Sequence, residues 1–187
     1  MTKPFRASFT ILSAWESGQW ERAVEMYFKL SKFTTEAMAA GKNKHEEWQQ
    51  HIEQYKRLPA AFGEIQLAAP QCEYKIVTRL HDWLEVVIVP DCFDSPTLYE
   101  FKYSQRNSNV FAQTKQVPLY AAMLIANDIP IEKGVIWRQK PMSDESEMSI
   151  VWITDTLITE AIEWLETYAS EMHHYLQKND LYEKFNP

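Results

Sequence analysis

Hydrophobic positions along the chain divide it into a helical first part and a second part in which strands and helices alternate. Over residues 13–30, Ala14, Trp15, Ala23, Val24, Tyr27, Phe28 and Leu30 recur at three- and four-residue intervals, which predicts helix, with a break at Gly18. Residues 36–55 are polar and helix-forming apart from Gly41, and Pro59 ends the helical stretch. The pattern changes at Tyr74. Residues 74–80 and 83–89 are rich in β-branched side chains around His81-Asp82, and residues 98–104 come after the turn formers Asp94-Ser95-Pro96-Thr97, which predicts three strands in an antiparallel meander. A helix over 115–126, a strand over 135–138, a polar loop over 142–147 and a strand over 148–153 come next. Asp155 or Thr156 then caps a long helix whose Ile158, Ala161, Ile162, Leu165, Tyr168, Ala169, Met172 and Leu176 form one apolar stripe. The expected architecture is α/β or α+β: a single domain over 1–187, with a helical part over 1–60 and a central mixed sheet with flanking helices over 73–176.

Composition narrows the function classes. An apolar fraction of 45% supplies a packed core, so disorder is excluded. A net charge of −7 argues against coating nucleic acid by bulk positive charge, although a local basic strip beside an acidic metal site would suffice for a short stretch of backbone. Cys72 and Cys92 are too few for a disulfide scaffold, a four-thiolate zinc site or an iron–sulfur cluster, and read as small apolar fillers. The N-terminal residues precede no apolar signal region, and no segment approaches the ~20 apolar residues of a membrane span, so the expectation is a soluble cytoplasmic protein without a membrane partner.

The segment Val89-Pro90-Asp91-Cys92-Phe93-Asp94-Ser95-Pro96-Thr97-Leu98-Tyr99-Glu100-Phe101-Lys102 carries the candidate chemistry. With 94–97 as the turn, Phe93 opposes Leu98, Cys92 opposes Tyr99 and Asp91 opposes Glu100, so Asp91 and Glu100 share a face with Cβ atoms ~5 Å apart. Two carboxylates that close repel, and a divalent cation is their usual stabiliser. Lys102 shares their face, whereas Tyr99, Phe101 and Tyr103 point the other way. Such a set suits phosphodiester hydrolysis, with a metal to polarise phosphate and activate water and an ammonium to orient that water. The plainer alternative is a strand-end turn residue followed by a solvated polar face.

This segment resembles the motif core of RecB-type nucleases in the PD-(D/E)XK superfamily, in which an Asp at a strand end precedes a Glu/Asp-x-Lys strand. Gln116-Val117-Pro118-Leu119-Tyr120 is similar to that family's Gln-x3-Tyr helix element, Gly41-Lys42-Asn43-Lys44-His45 to its Gly-x3-His element, and Ser8-Phe9-Thr10-Ile11-Leu12 to its opening Ser-x-Ser/Thr-x-Leu. The elements occur in the family's order. The chain departs from it at Ile88, where many relatives have Gly, and at Gly18-Gln19, where relatives with an iron–sulfur cluster have Cys-Pro. The resemblance implies a restriction-endonuclease-like core and Mg²⁺ or Mn²⁺ held by His45, Asp91, Glu100 and the Phe101 carbonyl. Lys102 would assist the water, Gln116 and Tyr120 would support the site or contact substrate, and no cluster is expected. It further implies DNA as substrate, exonuclease action in recombination or repair, and a recombination or helicase partner. Arg106 and Lys115 stand near the site in sequence, and Arg138 and Lys140 on a later strand could join them along a backbone groove. Two other classes stay open: a non-catalytic binding or assembly module on the same fold, and a metal-dependent hydrolase of small phosphoesters.

Overall fold

The computed structural model describes residues 4–30 and 35–185. In chain order the elements are β1 (Phe5–Ala7), α1 (Phe9–Glu16), α2 (Trp20–Tyr27), α3 (Glu36–Tyr55), β2 (Gln71–Cys72), β3 (Ile76–His81), β4 (Leu84–Ile88), β5 (Cys92–Asp94), β6 (Thr97–Tyr103), α4 (Ser108–Ala112), α5 (Gln116–Ile125), β7 (Lys133–Gln139), β8 (Ser146–Trp152), α6 (Asp155–Lys178) and α7 (Leu181–Phe185). The class is mixed α/β, as the residue pattern predicts. Gly18, at φ 75°, separates α1 from α2 in the left-handed conformation that only glycine adopts without penalty. The cap of α6 is Thr154, whose hydroxyl accepts from the Leu157 main-chain N–H; Asp155 and Thr156 already lie inside the helix.

The expected meander is not formed. β3 and β4 pair antiparallel, but β4 takes β1 as a parallel neighbour on its other edge, giving a three-stranded sheet ordered β1-β4-β3. With both edges of β4 occupied, β6 cannot join it. Pro90 comes two residues after β4, and its missing N–H suits the point where the chain leaves this sheet. β6 sits instead in a five-stranded mixed sheet ordered β2-β5-β6-β7-β8, antiparallel to β5 and parallel to β7. A parallel pair requires a crossover, which α4 and α5 supply. The helical part over the first 60 residues is preceded by the three-residue strand β1.

Each face of the five-stranded sheet meets its own apolar cluster. Leu98 and Ile136 point into the one shared by α1, α5, α6 and the smaller sheet. Tyr99, Phe101 and Val135 point into the other, with Trp48 and Ile52 of α3 and with Phe62, whose ring stacks on Phe101. Alternation along β6 therefore turns Glu100 and Lys102 toward the α5 side. Gly134 of β7 allows α5 to approach closely, because a Cβ there would collide with the Val117 side chain. Gly134→Ala is accordingly expected to cost about 1–3 kcal/mol by overpacking, read from urea denaturation, and to displace the helix that begins at Gln116. Unchanged stability would show that α5 has room to shift.

Candidate active site

The turn between β5 and β6 has the register that its sequence predicts: Asp94 pairs with Thr97, Phe93 with Leu98 and Cys92 with Tyr99. Asp91 lies one residue before β5. Its carboxylate accepts from the Phe101 main-chain N–H at 2.7 Å, which holds it beside the middle of β6. Strand residues turn their N–H and C=O toward the same edge, so the Phe101 carbonyl also faces Asp91, past the end of β5. Glu100 is 1% exposed. One of its oxygens, Oε2, accepts from Lys102 Nζ at 3.0 Å and from Gln116 Nε2 at 2.7 Å. The other, Oε1, is buried with no hydrogen-bond partner. Gln116 opens α5 and Tyr120 stands one helical turn later on the same face; Pro118 falls in the first turn, where its ring is tolerated.

His45 arrives from α3. Its Nδ1 lies 3.5 Å from Asp91 Oδ1, and the ring packs against Trp48, which anchors α3 to the sheet. Glu73, the residue after β2, completes the cluster: one ligand atom each from His45, Glu73 and Asp91 lie within 4.8 Å of one another. Sequence reasoning missed Glu73. Its place depends on β2 pairing with β5, a two-residue bridge with no local pattern to announce it.

The charges are strongly perturbed. Burial of Glu100, reinforced by the Asp91 charge and only partly offset by Lys102, raises its pKa to about 7. Burial opposes ionisation of Asp91 too, but the His45 hydrogen bond and the Lys102 charge outweigh it and keep Asp91 below the ordinary carboxylate value. Burial works against charge on His45 and Lys102, and in both the neighbouring carboxylates prevail and raise the pKa. Glu73 is raised by burial and by Asp91. Acid accumulates here beyond what Lys102 and His45 neutralise.

Among solved structures, the chain is similar to an alkaline exonuclease from Laribacter hongkongensis, LHK-Exo, with a TM-score of 0.61 at 10% identity over 94% of this chain and 93% of that one. The same exonuclease in complex with dAMP matches with a TM-score of 0.58 at 9% identity, over 95% and 92% of the two chains. The crystal structure of SSO0001 matches with a TM-score of 0.53 at 13% identity, over 89% and 78%. The chain has an exonuclease-like fold. No protein-family model and no curated protein sequence matches it.

Beside Lys102 and Gln116 opens a cleft of about 490 Å³, whose far wall is α1 and α2 and whose cationic lining includes Arg22 and Arg106. Other basic residues expected along it are engaged elsewhere. Lys115 pairs with Glu160 of α6 at 2.6 Å and lines a neighbouring, smaller cleft. Arg138 is buried, donating to the carbonyls of Ser104 and Gln105, and Lys140 pairs with Glu145. A charged residue on an interior strand needs such partners. Arg22 has no signal in the sequence pattern, because its position results from the packing of α2. Among the described residues, no helix is long and apolar enough to cross a membrane.

Proposed function

We propose that this protein is a divalent-metal-dependent nuclease of the PD-(D/E)XK superfamily, RecB-type, which hydrolyses DNA phosphodiester bonds and acts as an exonuclease. Two observations carry the reading: the unpartnered, fully buried Oε1 of Glu100, whose carboxyl feels the Asp91 charge, and the His45, Glu73 and Asp91 ligand atoms, a cluster that does not itself include Glu100. A buried carboxylate oxygen without a donor is costly, and a cation is the partner whose chemistry fits an oxygen-rich set with one imidazole. Asp91, Glu100, His45 and the Phe101 carbonyl would hold Mg²⁺ or Mn²⁺, with Glu73 as a further ligand. When bound, the cation polarises a phosphate oxygen and makes a coordinated water more acidic.

The chain's own groups do the rest. Lys102 carries a proton held by the Glu100 and Asp91 charges, and can orient a nucleophilic water or offset charge on the phosphate. Gln116 holds the Glu100 carboxylate by a hydrogen bond, and Tyr120 would support the site from the next turn of α5. Arg22 and Arg106 would receive the neighbouring backbone phosphates. LHK-Exo has been crystallised with dAMP, a deoxynucleotide, which supports DNA as the polymer. Recombination or repair, beside a helicase or recombinase, is the setting that the family resemblance implies.

The deciding test is digestion of end-labelled linear and closed circular DNA with Mg²⁺ or Mn²⁺. Mononucleotides from linear DNA alone are expected. Nicking of circles would replace the exonuclease reading with an endonuclease one, and hydrolysis confined to small phosphoesters would end the DNA reading. Binding in Ca²⁺ should weaken with salt, and Arg22→Ala with Arg106→Ala should reduce the log–log slope by about 0.7–0.9 for each phosphate contact removed. An unaltered slope would put the backbone elsewhere.

A further inference from the structure

The chain's two cysteines, both free thiols, stand opposite one another where β2 meets β5. The next pair along, Glu73 and Asp91, is linked by a hydrogen bond from Glu73 N–H to the Asp91 carbonyl at 3.2 Å. Hydrogen-bonded and non-hydrogen-bonded pairs alternate in an antiparallel ladder, so Cys72 and Cys92 occupy a non-hydrogen-bonded position, where Cα atoms stand ~4.5 Å apart. That separation falls inside the ~4.4–6.8 Å range that a disulfide accepts. The neighbouring Cys72 thiol, together with burial, pushes the Cys92 pKa up. Access is unequal. Cys92 is sealed in the apolar cluster, whereas Cys72 is half-buried on the edge strand and open to a small oxidant.

We propose that Cys72 and Cys92 are an oxidisable pair which peroxide closes into a disulfide, and that the closed form holds a divalent metal less well than the open form. Cys72 Sγ attacks one oxygen of hydrogen peroxide; the O–O bond breaks, one water leaves and a sulfenic acid remains. Cys92 Sγ then attacks that sulfur, the S–S bond forms and the sulfenic oxygen leaves as a second water. The two thiol hydrogens depart in the two waters, and the sulfurs together lose the two electrons that the peroxide gains.

The link to the metal centre is covalent adjacency: Cys72 precedes Glu73 and Cys92 follows Asp91. A disulfide draws the Cβ atoms to about 3.8 Å, shorter than the ~4.5–5.5 Å of an ordinary cross-strand pair, so the backbone on either side must shift. Glu73 has little latitude to absorb this, being held at φ 51° in the left-handed region. This second half rests on the proposed metal centre; the first half does not.

The test takes the full-length chain, treats it with hydrogen peroxide, alkylates it under denaturing conditions and weighs it intact, with peptide mapping of the cross-link. The reduced chain should take up two alkyl groups and the oxidised chain none, with dithiothreitol restoring both. Mn²⁺ affinity by calorimetry should fall about 10–100-fold on oxidation, the range seen when groups that orient metal ligands are disturbed, and recover with the thiols. Cys72→Ser should bind Mn²⁺ as the reduced chain does, before and after peroxide, and Cys72→Ala serves if the serine variant misfolds. Full alkylation after peroxide, or links only between chains, overturns the pair; a disulfide that leaves Mn²⁺ affinity unchanged overturns the coupling. If the reduced chain binds no Mn²⁺, the metal reading and the coupling fall together, while the mass still decides the disulfide.

Discussion

Glu100→Ala and Lys102→Ala are each expected to lower DNA hydrolysis by about 10²–10³-fold or more, and to separate in metal binding. As a proposed ligand Glu100 would contribute an oxygen with no other partner, so its loss should weaken Mn²⁺ binding by at least about 10–100-fold. Lys102 contributes a positive charge close to where the cation would sit. Removing it should leave Mn²⁺ affinity equal or stronger when measured well above pH 7, a comparison made there because loss of Lys102 pushes the Glu100 pKa further up. Both side chains lie on the α5 face of β6, away from the Trp48 and Phe62 cluster, so circular dichroism should show both variants folded. Equal affinities in the two variants would remove Glu100 from the ligand set, and wild-type rates in either would dismantle the nuclease site.

Mn²⁺ affinity should rise steeply with pH through the neutral range. A metal ligand must give up its proton, and Glu100 holds one up to about pH 7. Below that value affinity should fall about tenfold for each pH unit, and more steeply where His45, whose pKa is also raised, becomes protonated as well. Without metal the same shift acts on stability with a definite sign. The folded-state pKa of Glu100 exceeds its ordinary value of 4.5, so its contribution is fully present below 4.5 and is lost as pH rises through about 7. Added Mn²⁺ should recover stability above that pH. Calorimetric titration at a series of pH values measures the first effect and thermal melts with and without Mn²⁺ the second; a flat affinity profile would show that Glu100 does not compete with protons for the metal.

What the sequence disclosed was what local physics determines. The β5–β6 register comes from four turn formers and two-residue alternation, and both act within a few residues. The nearness of Gln116 to Glu100 was suggested only by family order, since α5 reaches β6 through packing at Gly134. The division into two sheets left no local trace, because a three-residue parallel strand from the N-terminus decides it by occupying the free edge of β4. Glu73 was illegible for the same reason. Arg138 was misplaced along the groove although a hint existed: a charge within Val135-Ile136-Trp137-Arg138 on an interior strand is more readily a buried, hydrogen-bonded group than a groove lining.

The five-stranded sheet divides the molecule into two apolar layers, and the candidate site draws on both: His45 belongs to the α3 layer, Gln116 and Tyr120 to the α5 layer. The carboxylates gathered around β6 thus report on two independent structures at once. Damage far away in either layer, a truncated Trp48 or a displaced α5, converges on the same few oxygens. If the proposed metal centre is real, loss of metal affinity should come before loss of fold, and variants remote from the site should pass for ligand mutants unless stability is measured alongside.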